Sequence, residues 1–422
     1  ELRDNLLRIR HHAFLGLLCG NNEMELGWVG WEDVVTHHPA LKADYIKMFE
    51  YVISQEAQIN APDVFYWPSS PSSGGSFDDP NAENRGDVHY WDVWHRMKPF
   101  TDYEKFYFRF CSEFGFESFP GRKTIETFTE PSDRNIFSPV MESHQKNGAA
   151  NGLIMFYISS YYRYPKDFDS LLYISQLLQA EAMRHGVEHG RRNRGRGMGA
   201  IYWQLNDGWP VASWASIDYF GRWKALHYYA RRFFSPRMVT AKAEDAKLRM
   251  WVHNDSRTAL EGTVEVELRD TAYGLLAHME VPVQVPPLSV TELDPVDFMQ
   301  ELAERGQDTV FVAYRLCEKN NTGAYASTLF CRPKQMELPR PNYTVHVLDC
   351  GNVFDIYVKS DCYAHQVEIE TNLTDRPFSD NYFSLCTPQG VHVALEKDSV
   401  APGVTAEQLR ESLQVRSVAD TF

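Results

Sequence analysis

Two glutamates of the sequence, Glu23 and Glu113, stand where short apolar runs end and polar signatures begin. The first closes Gly-Asn-Asn-Glu after the run 13–19, and the second belongs to Ser-Glu-Phe-Gly after the run 106–111. Parallel barrels form their active sites from side chains that short buried strands present at their C-terminal ends. Because two carboxyl groups across one pocket are what glycoside hydrolysis requires, the pair predicts that type of site.

The chemistry would divide between the two carboxyl groups. One protonates the departing oxygen, and the other attacks the anomeric carbon or activates a water molecule. A separation of about 5 Å gives retention of configuration, whereas a wider one gives inversion. Spacing along the chain assigns neither role to Glu23 or Glu113. Taken singly, each signature is also typical of a turn or a solvent-facing strand end, but the two together favour a site.

Other polar and aromatic residues accompany the glutamates. Asn22 offers an amide for a sugar hydroxyl, and Trp31 follows it in a glycine-rich stretch. Trp203, followed by Gln-Leu-Asn-Asp, combines a stacking surface with hydrogen-bonding groups. Most tryptophans are largely buried, so a core role for both rings stays equally open. The segment 87–91, Asp-Val-His-Tyr-Trp, is a further polar and aromatic strand end between the two glutamates.

A metal site is not indicated. The segment 185–189, His-Gly-Val-Glu-His, matches the pattern of inverted zinc peptidases. It lies at a helix end beside arginine-rich sequence, without an obvious distant glutamate ligand, so a solvated helix end explains it better. No CxxC pair is present, which also speaks against a zinc ribbon. We therefore expect neither a metal nor another cofactor.

Composition and charge restrict the partners. Of the 422 residues, 43% are hydrophobic and 23% charged, and the 14% of aromatic residues suit sugar faces as well as cores. A formal net charge of −15 argues against nucleic acid, because phosphate contacts need clustered lysine and arginine. No apolar stretch reaches the roughly 20 residues that span a bilayer, so no membrane association is expected.

Seven scattered cysteines without a framework pattern favour a reducing, cytoplasmic setting. A secreted or lysosomal location stays open for two reasons. Cys317 and Cys331 flank a turn-rich stretch and could be bridged in an oxidising compartment. Four N-x-S/T triplets begin at Asn254, Asn320, Asn342 and Asn372.

Up to about residue 235, apolar strand-like runs alternate with helical patterns, which is typical of an α/β domain. The strand predictions are 13–19, 63–67, 87–91, 106–112 and 199–204, and the helix predictions are 42–58 and 168–184. A closed (β/α)8 barrel has eight strands, and this chain opens on an amphipathic helix pattern instead. The sequence therefore predicts the C-terminal part of such a TIM barrel, taken from a longer protein.

After residue 237 the pattern changes to short strands of alternating apolar and polar residues. Such strands, separated by turn residues, indicate antiparallel β-sandwiches of the immunoglobulin-like kind. A proline-rich segment, 332–341, reads as the linker between two of them. The predicted domains are a partial catalytic barrel over 1–236 and sandwiches over 237–335 and 336–422.

A specific combination of segments runs through the first part of the chain. It comprises 20–23, Trp31, 87–91, 112–115, 203–207 and 213–219. Together these segments resemble the β-mannosidases of glycoside hydrolase family 2. The resemblance implies a retaining exo-hydrolase that removes terminal β-mannose from mannose-containing oligosaccharides. It also implies that Glu23 is the acid/base and Glu113 the nucleophile.

The resemblance extends to the residues around the pair. It implies that Asn22 holds the sugar hydroxyl next to the reacting carbon. Trp31 and Trp203 would line the pocket of the terminal sugar. From the strand end between the glutamates, either His89 or Tyr90 would contact the substrate or the nucleophile.

The family carries two further domains before the barrel, and part of the pocket comes from there. The expected partner of this chain is therefore the missing N-terminal part of the same enzyme, besides the oligosaccharide substrate. Two alternatives stay open: a β-galactosidase or β-glucuronidase of the same family, and a non-catalytic carbohydrate-binding fragment. The sequence does not indicate an oligomeric state.

Overall fold

The computed structural model describes residues 1–31, 39–319 and 321–422. The chain divides into two compact units. One consists of residues 1–115 and 189–203, and the other of residues 116–188 and 204–422. Each unit is described by itself.

Among its described residues, the first unit contains four short strands that pair in parallel. They are β1 (Leu17–Cys19), β2 (Phe65–Trp67), β3 (Val88–Tyr90) and β4 (Cys111–Phe114). β1 pairs with β2, and β3 pairs with β4. Parallel bridges from Cys111 to Ala200 and from Gly115 to Trp203 add the next segment beside β4. Consecutive parallel neighbours are the arrangement of a barrel wall, as the sequence predicts.

Helices of the first unit precede and separate these strands. Their bounds are Leu2–Ile9, Met24–Gly30, Pro39–Tyr45, Ile46–Val52 (a π-helix), Ile53–Asn60, Asp92–His95 and the 3-10 helix Phe100–Lys105. The helix predicted over 42–58 is confirmed and extends from 39 to 60. Its buried rings, Tyr45 and Phe49, pack with Phe77 into a small aromatic core.

Three strand predictions are wrong over part or all of their length. The apolar run 13–19 becomes a strand only from Leu17, because Phe14 is exposed and stacks on the ring of His12. Similarly, 106–110 is not a strand, and the rings of Phe106 and Phe108 pack against the ring of Tyr90 on β3. Finally, 199–204 contributes isolated bridges and no continuous strand. In each case, apolar character alone does not show what covers a side chain.

The second unit begins with helices. They span Arg122–Ile125, Pro139–Ser143, Ala150–Tyr161, Phe168–Arg192 (of which the last four residues belong to the first unit) and Ala225–Phe233. The helix predicted over 168–184 is confirmed. Its periodic apolar side chains, including Leu172, Leu177 and Met183, are fully buried.

The first sandwich follows. One sheet contains β5 (Arg237–Glu244), β6 (Lys247–Asn254), β9 (Ser289–Glu292) and β10 (Val296–Asp297). The other contains β7 (Leu260–Asp270), β8 (Leu275–Val285), β11 (Val310–Glu318), β12 (Asn321–Thr322) and β13 (Ala326–Leu329), and a helix spans Met299–Arg305. Alternate residues of the strands, such as Leu248 and Met250 on β6 and Val264 and Val266 on β7, are buried in one core.

The second sandwich has two three-stranded sheets. They are β14 (Tyr343–Asp349), β15 (Val353–Ser360) and β18 (Val391–Glu396), and β16 (Ala364–Glu370), β17 (Phe383–Leu385) and β19 (Gln414–Arg416), with a helix at Ala406–Ser412. A bulge on β16 carries Gln366, whose side chain is buried. The amide of Gln366 donates to Glu181 and accepts from Tyr162, which ties this sandwich to the helices of the same unit.

The structure leaves all seven cysteines as free thiols, including Cys317 and Cys331. Of the four N-x-S/T triplets, the one at Asn254 lies in the core with no exposed surface, and Asn320 lies outside the described residues. Within the described ranges, no helix is both long enough and apolar enough to cross a membrane.

We predict that Asn254→Ala destabilises the first sandwich by about 3 kcal/mol. The Asn254 amide donates to the carbonyls of Thr258, Val285 and Pro286, and its oxygen accepts from Ser256. Removing this amide leaves buried carbonyls without hydrogen-bond donors. The desolvation penalty of such unsatisfied groups is larger than the net contribution of the hydrogen bonds to stability.

Urea unfolding followed by tryptophan fluorescence measures this change in the free energy of unfolding. Asn372→Ala, at an exposed position, is the matched control and should stay within about 0.5 kcal/mol of the wild type. Equal midpoints for the two variants would contradict the structural role of the Asn254 amide.

Candidate active site

Glu23 is positioned by the continuation of β1 beside β2. The amide of Gly20 donates to the carbonyl of Trp67, and the amide of Glu23 donates to the carbonyl of Ser70 at 2.7 Å. A side chain at Gly20 would collide with the Tyr66 hydroxyl at 2.3 Å, so only glycine allows this close approach. Glu23 itself has a φ of 59° and directly precedes the helix that starts at Met24. Such a left-handed backbone is uncommon outside glycine and is typical of functional sites.

Glu113 lies on β4, and His89 of β3 lies between the two glutamates. His89 Nδ1 is 2.7 Å from Glu23 Oε1 and 3.7 Å from Glu113 Oε1. One oxygen of each carboxylate and a nitrogen of His89 all lie within 4.8 Å of one another. The side chains of Glu23 and Glu113 are 16% and 13% exposed, whereas that of His89 is 1% exposed. Both acids can therefore reach a ligand, whereas the buried imidazole contacts them from within the protein.

The electrostatics of the site act most strongly on Glu113. Burial raises the pKa of the Glu113 carboxyl, and the negative charge of Glu23 adds to this rise. The imidazole of His89 and a hydrogen bond from Trp91 oppose it. A carboxylate with a raised pKa is a stronger nucleophile, provided that neighbours such as these keep it ionised.

A polar network beneath the site was not predicted from the sequence. Asp87 accepts hydrogen bonds from Ser70 and Ser112, and Ser70 also contacts Nε2 of His89 at 2.9 Å. The side chain of Asn81 fixes the backbone of His89 through both its oxygen and its nitrogen. The segment 87–91 contained a signal that could have indicated this network. Side chains alternate between the two faces of a strand, so Asp87 and His89 are expected on the same face.

Asn22, Trp31 and Trp203 belong to the same unit as the two glutamates. Asn22 is exposed, and within the described part of the chain its side-chain amide has no hydrogen bond, which leaves it available to a ligand. The rings of Trp31 and Trp203 are 48% and 43% exposed, so neither is a core residue. The amide of Trp203 donates to the carbonyl of Phe114, which places its backbone beside β4.

Tyr90 lies apart from this group. Its hydroxyl donates to Asp102 at 2.5 Å, and its ring packs against those of Tyr103, Phe106 and Phe108. Because successive residues of a strand point to opposite faces, Tyr90 faces the core when His89 faces the carboxylates. Of the two residues that the resemblance left open, His89 is the one with observed contacts to both glutamates.

Two groups among the described residues have a spacing that would admit a cation. They are the cluster of Glu23, His89 and Glu113, and a second one of Glu265, Glu267 and His278. In the first, Nδ1 of the histidine is engaged with a glutamate, and in the second, arginines pair with both carboxylates. We assign a metal to neither.

The zinc-peptidase pattern at 185–189 has no support in the structure. His185 Nδ1 contacts the carbonyl of Glu181, and His189 Nε2 contacts the carbonyl of Phe106. Both rings are thus held by backbone oxygens.

Parallel strands that carry two neighbouring carboxylates, followed in the chain by two sandwiches, are the domain organisation that the resemblance to glycoside hydrolase family 2 implies. Residues 246–335 match the family model of a mannosidase Ig/CBM-like domain, and residues 338–421 match that of an Ig-fold domain of mannosidases. Together with the comparisons below, these matches make the chain similar to the β-mannosidases of glycoside hydrolase family 2.

Curated relatives support this assignment. Beta-mannosidase B of Aspergillus fumigatus is 32% identical over 319 residues, which are 68% of this chain and 37% of that protein. Beta-mannosidase B of Aspergillus terreus is 32% identical over 332 residues, covering 71% of this chain and 39% of that protein. The chain thus spans less than half the length of the curated relatives that it matches.

Solved structures agree. The β-D-mannosidase of Dictyoglomus thermophilum has a TM-score of 0.86 and 25% identity, covering 98% of this chain and 50% of that one. The exo-chitosanase CsxA of Amycolatopsis orientalis has a TM-score of 0.69 at 14% identity, covering 99% of this chain and 52% of that one. The second likeness shows a shared fold.

Proposed function

We propose that the protein to which this chain belongs hydrolyses terminal, non-reducing β-D-mannosides of oligosaccharides, with retention of configuration. The observation that carries the proposal is the pair of glutamates, whose oxygens approach within 4.8 Å across His89. This spacing supports a double displacement, for which carboxyl groups about 5 Å apart are typical. The similarity to β-mannosidases from three organisms supports mannose as the sugar.

In the first step, Glu113 attacks the anomeric carbon while Glu23 donates its proton to the departing oxygen. The bond between the sugar and the leaving group breaks, and an ester forms between Glu113 and mannose. Glu23 is the better placed acid, because its Oε1 lies 2.7 Å from Nδ1 of His89. The Oε1 of Glu113 lies 3.7 Å from the same nitrogen.

In the second step, Glu23 removes a proton from water, and the resulting nucleophile breaks the ester. Two inversions give net retention. Glu23 gave up its proton in the first step, so it is the carboxylate that acts as the base in the second.

The side chains around the pair suit a sugar. The exposed amide of Asn22 can accept or donate a hydrogen bond beside Glu23, and the exposed rings of Trp31 and Trp203 offer stacking surfaces. The described strands do not enclose a complete sugar pocket. We therefore infer that further domains of the same protein contribute the remaining pocket residues.

The full-length protein should hydrolyse aryl β-mannosides in preference to the corresponding galactosides and glucuronides. The configuration of the first product, followed by NMR, should be β. A preference for galactoside or glucuronide would favour the other members of the family. Mannose binding without turnover, in protein of full length, would favour a carbohydrate-binding fragment, and an α-configured first product would exclude retention.

A further inference from the structure

We infer that Asp87, acting through Ser70, holds one proton on Nε2 of His89, so that His89 and Glu23 share a single proton between them. On this view Asp87, Ser70 and His89 are positioning residues that keep the acid protonated before attack. The inference rests on the role proposed above for Glu23.

The first step is the state of Asp87. Its Oδ1 accepts from the Trp67 indole and the Ser72 amide, each at 3.0 Å. Its Oδ2 accepts from the hydroxyls of Ser70 at 2.6 Å and Ser112 at 2.5 Å. Four donors thus surround the two oxygens. A carboxylate accepts at four sites and donates at none, so this environment suits ionised Asp87.

The second step is the direction of the Ser70 hydroxyl. A serine hydroxyl has one hydrogen to donate, and the 2.6 Å contact with the Asp87 carboxylate requires that hydrogen. Ser70 is then an acceptor toward Nε2 of His89, which lies 2.9 Å away. Nε2 must therefore carry the hydrogen. A carboxylate that selects a histidine tautomer is a recurrent device of catalytic sites.

The third step concerns Nδ1. With Nε2 protonated, a neutral His89 has a lone pair on Nδ1, and it is 2.7 Å from Glu23 Oε1. One proton must lie between these atoms, either on Glu23 or on Nδ1. The pair as a whole is then neutral and holds the proton that the leaving group receives.

The same geometry assists the second half of the reaction. After the proton has gone to the leaving oxygen, the Glu23 carboxylate faces the Nδ1 lone pair at close range. A proton taken from the attacking water removes this repulsion. One proton leaves the pair and one returns in each turnover, so the step is balanced.

Other ionisable groups near the network are Glu113, His95, Cys19, Cys111 and Glu25. Burial raises the pKa of the thiols of Cys19 and Cys111, so both stay neutral. Burial lowers the pKa of His95, which favours its neutral form. Glu25 is engaged by Tyr45 and Ser72. The shared proton and Glu113 are therefore the groups that govern the pH profile.

Asp87→Asn tests the inference in the full-length protein. The indole and the amide that face Oδ1 cannot turn, so the new NH2 group faces Ser70 and Ser112. The Ser70 hydroxyl then turns toward Nε2, and the hydrogen of neutral His89 moves to Nδ1. There it donates to the Glu23 carboxylate, which stabilises the deprotonated acid.

The expected result is a loss of acid catalysis alone. For β-1,4-mannobiose, kcat/KM should fall by about 10²-fold, since general acid catalysis contributes on that order. For 2,4-dinitrophenyl β-mannoside, which needs no protonation, it should change by less than about 3-fold. The alkaline limb of the kcat/KM profile should move down by about one pH unit.

Two further variants make the result decisive. Asp78→Asn, at an exposed carboxylate paired with Arg85, is the matched control and should match the wild type on both substrates. Ser70→Ala removes the link to His89 and should shift the leaving-group dependence in the same direction, and it decides the matter if Asp87→Asn does not fold.

Equal losses on both substrates, or an unmoved alkaline limb, would overturn the inference and leave Asp87 a packing residue. Failure of the proposed function looks different. In that case the wild type would not hydrolyse either mannoside, or Glu23→Gln would retain its rate on mannobiose.

Discussion

Glu113→Ala lowers kcat/KM on every β-mannoside by about 10⁴-fold or more, because the proposed mechanism forms the glycosyl ester on this carboxylate. Glu113 is the partly buried carboxylate on β4, and its neighbour Glu23 is engaged with His89. The cavity left by the side chain admits a small anion beside the anomeric carbon. Added azide should therefore restore turnover of 2,4-dinitrophenyl β-mannoside and yield α-mannosyl azide.

Steady-state kinetics and NMR of the product measure both effects. Glu411→Ala, at an exposed position on the helix Ala406–Ser412, is the control and should leave the rates unchanged. Unchanged hydrolysis in Glu113→Ala would remove this residue as the nucleophile. A product of β configuration with azide would assign it the acid/base role instead.

Glu23→Ala separates the two half-reactions. The rate of glycosyl-enzyme formation from mannobiose should fall by about 10³-fold, whereas that from the dinitrophenyl substrate should be nearly unchanged. Water then attacks the ester without a base, so the second step becomes slow and the intermediate accumulates. Pre-steady-state kinetics should show a burst of dinitrophenolate equal to the enzyme concentration.

Azide gives the stereochemical check on this variant. It needs no base, so it should accelerate turnover and yield β-mannosyl azide, opposite to the product of the nucleophile variant. Mass spectrometry of the trapped protein should locate the mannosyl group on the peptide that contains Glu113. A loss of the same size on both substrates would show that Glu23 holds the fold of the site and does not transfer a proton.

The two glutamates could be proposed from the sequence because the pattern around each of them is local. Each glutamate stands in a polar signature that follows an apolar run, so the change of residue type that marks it lies within a few neighbouring positions. Glu23 and Glu113 thus follow from their immediate neighbours. The helix over 168–184 is local in the same sense, since its apolar residues recur at helical spacing.

The strand predictions were wrong where contacts with residues distant in the sequence determine the local structure. The rings of Phe106 and Phe108 are apolar enough for a strand, yet they pack on Tyr90, a contact that no local pattern contains. His89 and Tyr90 are adjacent and equally suited to a sugar. Their roles differ because of their tertiary contacts: His89 contacts Glu23, whereas the hydroxyl of Tyr90 donates to Asp102.

The sequence by itself determined which residues can do the chemistry, because residue type and the ends of short strands are properties of neighbouring positions. Only the tertiary structure decided how close the two carboxylates come and which histidine nitrogen faces the acid. Those quantities depend on the pairing of β1 with β2 and of β3 with β4, across separations of tens of residues. Hydrogen-bond direction is set by the donors that folding assembles around Asp87, and no single segment of the chain contains them.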